Sequence, residues 1–216
     1  MIDYSEYWEK SWREEDTEEL SRYLEGWNGF TPTEMDIFTQ YGVKKVCDAA
    51  CGFGAHTLAF ASNGFEVSAF DISPKAVELT THGLQKYGYD NVDVKLAGIT
   101  DTGYEDGSFD AAAAYAVIDH LTESDGKRAI EELMRILKPE GLLLLSFDRA
   151  EEEDYQTAHE ELEDGSMIYT EESSREGMLY RPYDKDKIEA LVADYHIIEQ
   201  LTNRKGSQFI ILQKSL

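Results

Sequence analysis

From Val43 onward, short apolar runs alternate with stretches whose apolar residues recur at helical spacing. Lys45–Ala49 (KVCDA) predicts a buried strand. A glycine-bearing turn follows, then a helix over about 55–63, with Gly64 where a helix C-terminal glycine belongs. Residues 66–70 (EVSAF) predict a second strand ending at Asp71. Ser73-Pro74 then opens a helix to about Lys86, with serine as cap and proline in the first turn. Residues 92–96 and 110–117 predict the third and fourth strands, the latter introduced by the turn Glu105-Asp106-Gly107-Ser108. An amphipathic helix over 127–137 is stopped by Pro139, and 142–147 (LLLLSF) predicts a wholly apolar fifth strand. Strands alternating with helices imply parallel pairing, and right-handed crossovers make the sheet open and doubly wound, an α/β fold.

The C-terminal third changes character. Residues 148–182 are acidic, weakly patterned and too long for a bare loop, so they predict local structure over the ligand-binding edge, with Asp164-Gly165 as a hairpin turn. A helix over 184–194 is followed by strands at His196–Thr202 and 209–213, an antiparallel hairpin that completes a mostly parallel, seven-stranded sheet. Residues 1–40 predict two helical segments outside the sheet. The expected organisation is one domain, 1–216: a helical cap (1–40), a ligand-binding core (43–147), a lid or substrate-side insertion (148–182), and a closing helix and hairpin (183–216).

In an open parallel sheet the ligand sits beyond the carboxyl ends of the strands, beside the point where strand order reverses. The run VCDAACGFG (46–54) falls there, and its glycines Gly52 and Gly54 let a ligand approach the backbone. Asp71, at the end of the next strand, is spaced to grip two ribose hydroxyls. An adenosine-containing ligand follows from that arrangement. Each residue also has a plainer reading: Asp48 as a loop cap, Asp71 as the acid at a helix N-terminus, and Trp8 with Trp12 at i, i+4 as one helix face against the core.

The run resembles the first motif of class I S-adenosylmethionine-dependent methyltransferases, an acid followed by x-Gly-x-Gly-x-Gly. Asp48, Cys51, Gly52 and Gly54 match it, and Ala50 replaces the first glycine. In register, ASNGFEVSAFDIS (61–73), DGSFD (106–110) and LKPEGLLLL (137–145) match later motifs, so the resemblance covers about 43–147. It implies S-adenosylmethionine as cofactor and S-adenosylhomocysteine as product. It implies further that Asp48, Ala49, Ala50, Cys51, Gly52 and Gly54 meet the methionine end, that Asp71 holds the ribose, and that Ile72 packs on adenine. Gly98 stands where the family often has an adenine-binding aspartate, which transfers that task to the backbone around Ile99. The resemblance implies also that residues 115–120 (YAVIDH) face the transferring methyl, with Asp119, His120 and Tyr115 as candidate bases. Tyr7 and Trp12 are placed as aromatic lids.

Composition narrows the acceptor. With 44 acidic against 20 basic residues the net charge is −24. Acid is concentrated in the first forty residues and between Glu151 and Glu176, where Arg175 is the only lysine or arginine. Nucleic-acid binding draws its affinity from Lys and Arg displacing counterions, so RNA and DNA are disfavoured and a neutral or cationic small molecule is favoured. The acidic, aromatic N-terminus resembles no signal peptide, no run is long enough to span a bilayer, and Cys47 and Cys51 make neither a disulfide framework nor a metal clip. These features point to the cytoplasm, with no membrane or metal partner. Two other readings remain. An NAD-type Rossmann oxidoreductase is weakened by Thr57 standing at the third glycine position. The other is a non-catalytic cofactor-binding protein of the same fold.

Overall fold

The computed structural model describes residues 2–15, 18, 24, 32–170 and 173–216. Helices α1 (Tyr4–Glu14) and α2 (Pro32–Gln40) precede the sheet; most of the stretch between them lies outside the described residues. Strand and helix then alternate: β1 (Lys45–Ala49), α3 (Ala55–Ser62), β2 (Glu66–Asp71), α4 (Pro74–Lys86), β3 (Asp93–Leu96) and β4 (Phe109–Ala114). A 3₁₀ turn at Ile118–His120 leads into α5 (Glu123–Ile136) and β5 (Leu137–Phe147). The remainder holds α6 (Glu152–Gln156), β6 (His159–Glu161), β7 (Met167–Tyr169), β8 (Leu179–Tyr180), α7 (Lys185–Leu191), β9 (His196–Thr202) and β10 (Gln208–Gln213).

The main sheet has seven strands in the order β3-β2-β1-β4-β5-β10-β9. The first five are parallel, while β10 runs antiparallel to both β5 and β9. That inserted strand separates this sheet from the all-parallel 3-2-1-4-5-6 order of dinucleotide-binding domains. Side-chain alternation places the two layers of core. Ala112, Ala114, Leu143 and Leu145 face one side, and Ala111, Ala113, Leu142 and Leu144 the other, all buried. The alanines of the central β4 let helices approach closely, and the β5 leucines supply the apolar area, about 1.5–3 kcal/mol per fully buried side chain.

The helix starts are written in side chains. Ser73 Oγ accepts the Ala76 N–H at the head of α4, and Thr122 Oγ1 accepts the Asp125 N–H at the head of α5. The Thr122 cap corrects the sequence expectation, because α5 begins a turn earlier than 127. Leu137 has already left the helix and opens β5, so Pro139 lies inside the strand's exposed start instead of stopping the helix. Helix α7 is shorter than 184–194: Asp184 is its cap and Val192 ends it.

The acidic segment after β5 forms local structure. The strands β6, β7 and β8 form a second, antiparallel sheet, turned at Asp164-Gly165, where Asp164 Oδ1 accepts the Ser166 N–H. Its apolar residues Met167, Tyr169, Met178 and Tyr180 pack with Tyr7 of α1. Helix α1 itself bridges two helix heads. Glu9 Oε2 accepts Ser73 Oγ–H at 2.6 Å and the Lys75 N–H at 3.0 Å on α4. At its other end Tyr4 OH donates to Asp125 at 2.7 Å on α5. A cap of α1 and the small sheet therefore lies over the carboxyl ends of the central strands. No helix among the described residues is long and apolar enough to cross a membrane.

Candidate active site

Beneath this cap is a cavity of about 580 Å³, within the roughly 300–1,000 Å³ of small-molecule sites. Its floor is the loop after β1, namely Ala50, Cys51, Gly52 and Phe53, with Asp71 and Ile72 beside it. One wall is the stripe Tyr4, Trp8 and Trp12 of α1; the opposite wall comes from His56, Tyr115, Ala116, Val117, His120 and Leu121, with Asp148 at the mouth. Among the described residues that line it there is no lysine or arginine.

Two alanines at the carboxyl ends of the central strands carry left-handed backbone, Ala50 (φ 56) and Ala116 (φ 48), and both line the cavity. A side chain in that region costs about 1–2 kcal/mol. Such strain persists where the surrounding structure fixes it for a purpose. Gly52 (φ +56) has an additional reason to lack a side chain, since a Cβ there would stand 2.9 Å from the Trp12 ring. The loop is held from below. Thr80 Oγ1 donates to the Gly52 carbonyl at 2.8 Å, and the Gly52 N–H donates to Asp71 Oδ2 at 2.9 Å.

The other Asp71 oxygen accepts the Ser73 N–H at 2.9 Å. Burial pushes this carboxyl above its ordinary value, the Ser73, Gly52 and Ile72 N–H groups pull it back, and Glu9 adds to the rise. Each oxygen keeps lone pairs beyond its backbone bond, so the carboxylate can still accept two hydroxyl protons from a ligand. A vicinal diol such as ribose, with two hydroxyl donors, fits that pair of acceptors. The aromatic faces of Trp8 and Trp12 suit a sulfonium cation, and the strained loop gives close access for a ligand's polar end. The residues present thus fit S-adenosylmethionine.

His120 has a defined orientation. Its Nδ1 lies 3.0 Å from the Leu179 carbonyl oxygen of β8, its ring meets Trp8 edge to face at 4.9 Å, and Tyr180 lies 6.0 Å away. A carbonyl oxygen only accepts, so Nδ1 carries a proton, and Nε2 is the ring nitrogen that the carbonyl does not hold. Next to it, Asp119 is buried: Oδ2 accepts the Asp148 N–H at 2.9 Å, and its carbonyl accepts the Arg181 N–H at 2.7 Å. Burial raises the Asp119 carboxyl, opposed by the neighbouring His120.

The structure redistributes several expected roles. Asp48 does not reach the cavity; it is sealed below the loop, accepts Thr57 Oγ–H at 2.5 Å, and is pushed up to about 7 by burial. Ala49 and Ile99 are buried in the core, and Gly54 packs against Thr80, so none of the three joins the cavity wall. Asp119 also lies outside the wall, bracing the β5 end behind His120. Tyr7 points to the small sheet, because it is one residue off the Tyr4–Trp8–Trp12 stripe; Trp8 takes the place expected for it. Tyr115 does line the cavity, where burial first and the Glu34 carboxylate second push its phenol up. It stacks on His56 at 3.6 Å and 2°, and burial lowers His56 to about 3, which keeps that ring neutral. Tyr4, Phe53, Ala55, His56, Leu121 and Asp148 are wall residues to which sequence reasoning gave no part in the site. Tyr4 was legible as the i−4 member of the Trp8, Trp12 stripe.

Residues 47–145 match the methyltransferase domain family. The ubiquinone biosynthesis O-methyltransferase of Xanthomonas oryzae pv. oryzae is 34% identical over 104 residues, 47% of this chain and 42% of that protein. The chain thus spans well under half the length of that curated relative. Among solved structures, an S-adenosylmethionine-dependent methyltransferase from Methanosarcina mazei superposes with a TM-score of 0.69 at 23% identity, covering 87% of this chain and 99% of that one. The 1,6-didemethyltoxoflavin-N1-methyltransferase of Burkholderia thailandensis, solved with its acceptor and S-adenosylhomocysteine, gives 0.64 at 16% identity over 86% and 77%. The sheet order, the glycine loop and the acid at the end of β2 accord with the methyltransferase domain that residues 47–145 match, and the solved structures share the fold.

Proposed function

We propose that this protein moves the methyl group of S-adenosylmethionine to the hydroxyl oxygen of a small aromatic acceptor. The observation that carries this reading is His120: its Nδ1 proton is committed to Leu179, and the residue lines an aromatic cavity that also contains Asp71. When bound, the cofactor supplies an electrophilic methyl on a sulfonium and leaves as a neutral thioether. Asp71 holds the ribose, with Ala50, Cys51 and Gly52 at the methionine end and Ile72 on the adenine. Tyr4, Trp8 and Phe53 stack on a planar acceptor, and α1 excludes water, aligning the attacking oxygen. His120 Nε2 takes the hydroxyl proton as the oxygen attacks.

Two further features favour this class. A wall with no lysine or arginine among the described residues gives an anionic reacting group no counter-charge there, whereas a phenol enters neutral and is ionised in place. The relative in ubiquinone biosynthesis is itself named an O-methyltransferase. The test is to incubate the protein with S-adenosylmethionine carrying a labelled methyl and with catechol, and to identify the product by mass spectrometry. An O-methylated product that His120→Gln abolishes, with S-adenosylhomocysteine binding retained, supports the assignment. Label on ring carbon, or full activity in His120→Gln, would remove the hydroxyl-acceptor reading.

A further inference from the structure

A second depression opens beside the cavity, bordered by the end of β5, the head of α7 and the β9–β10 hairpin, with a volume of about 710 Å³. Asp148 lines both spaces, so the groove adjoins the cavity. Its charge is opposite to that of the molecule: Arg149, Lys185 and Lys187 line it, against Asp148 and Asp184, in a chain of net charge −24.

Both of those carboxylates are otherwise engaged. Asp184 caps α7 through the Lys187 N–H at 2.9 Å, and Asp148 Oδ1 accepts Ser207 Oγ–H at 3.3 Å. The cations are less committed. Arg149 reaches Glu151 only at 3.7 Å and Lys185 reaches Glu189 at 3.5 Å, both exposed pairs, of a kind worth about 0–1 kcal/mol. Lys187 forms no ion pair among the described residues; its Nζ donates to the Pro182 carbonyl at 3.0 Å, which fixes its place without neutralising it. Arg149 is also positioned, because its stem lies on Gly206, where a Cβ would come within 2.7 Å of Arg149 Cδ.

We infer that this groove is a subsite for an anionic substituent, a carboxylate or phosphate, carried by the acceptor at a distance from its reacting hydroxyl. The inference rests on the aromatic-acceptor reading and adds charge to it: the reacting end sits among rings with no cation, and the far end passes Asp148 to meet Arg149, Lys185 and Lys187. Gln200 and Gln208 add neutral hydrogen-bonding groups at the same place.

The experiment compares dihydrocaffeate with its amide, which differ in charge and hardly in shape, by titration into the protein loaded with S-adenosylhomocysteine. The carboxylate is expected to bind about 10-fold tighter, a difference of about 1.4 kcal/mol, and added salt should shrink the gap. The double variant Arg149→Gln, Lys187→Gln should reduce the carboxylate to the affinity of the amide. Equal affinities in the unaltered protein, or a preference that survives the double variant, would overturn the inference. Inorganic phosphate is the control: if it binds the groove as tightly as dihydrocaffeate, the groove holds a free anion and the acceptor-tail assignment fails. Methyl transfer to the amide, measured on the same samples, reports separately on the hydroxyl-acceptor reading. A protein that prefers the carboxylate but methylates neither compound would support the groove and count against that reading.

Discussion

Asp71 Oδ2 accepts the backbone N–H of Gly52 at 2.9 Å, so the acid at the end of β2 and the loop after β1 move as one unit. Trp12 closes the same unit from above, against the face of Gly52 that has no Cβ. Gly52→Ala therefore meets two obstacles, a left-handed φ and an occupied neighbouring space. The expected result is a loss of about 1–2 kcal/mol in stability and weakened binding of S-adenosylhomocysteine, read by thermal melting and calorimetry. Intact affinity would show that Trp12 and the loop do not act together.

His120 is expected to act on rate, not on cofactor binding. His120→Gln should lower kcat for catechol roughly 10²- to 10⁴-fold while the affinity for S-adenosylhomocysteine stays within error. If the ring is only a packing group between Trp8 and Leu179, KM and stability will change instead of kcat.

Asp48 gives a pH dependence whose sign follows from its burial. Its carboxyl rises from 3.8 in the unfolded chain to about 7 in the fold. Between those values the native state holds a proton that the unfolded state has released, so stability falls as pH rises from about 4 to about 7 and levels off above. Asp71 and Asp119 are raised as well and act in the same direction. Asp48→Asn keeps an oxygen for Thr57 and removes the titration. Its melting temperature should decline less between pH 5 and pH 8 (roughly the window above) than that of the unaltered protein. Parallel curves would mean that Asp48 is ionised in the fold.

Arg181 ties the small sheet to the core. It is 5% exposed, pairs with Glu123 at 3.0 Å, and also bonds the Asp164 carbonyl. Glu123 keeps access to water, so Arg181→Leu should cost about 1–3 kcal/mol, less than breaking a fully buried pair. Urea unfolding measures it. No loss would place the sheet's anchorage in the Tyr7, Met167 and Tyr180 packing alone.

Much of the fold was legible because it repeats local signals: the 3.6 and 2.0 periods, Ser73-Pro74 at a helix head, and glycines at turns. The cofactor loop was legible because a strand, glycines and an acid at the end of the next strand have a fixed spatial meaning. What failed were inferences about direction. Tyr7 and Trp12 are five residues apart and cannot share a helix face, whereas Tyr4, Trp8 and Trp12 can. Asp48 was read as a contact although a strand residue beside Cys47 and Ala49 can equally be sealed in the core. The His56–Tyr115 stack and the cations at 149, 185 and 187 come together only through the pairing of β1 with β4 and of β5 with β10, which no local pattern announces.

The central claim is that the cavity floored by Asp71 and Gly52 binds S-adenosylmethionine, and calorimetric titration of S-adenosylhomocysteine into the unaltered protein and Asp71→Ala tests it most directly. One site per chain is expected, weakened about 10-fold or more by the substitution, a loss of at least about 1.4 kcal/mol, with no comparable binding of NAD. Equal affinity in both proteins, or tighter binding of NAD than of S-adenosylhomocysteine, would contradict it.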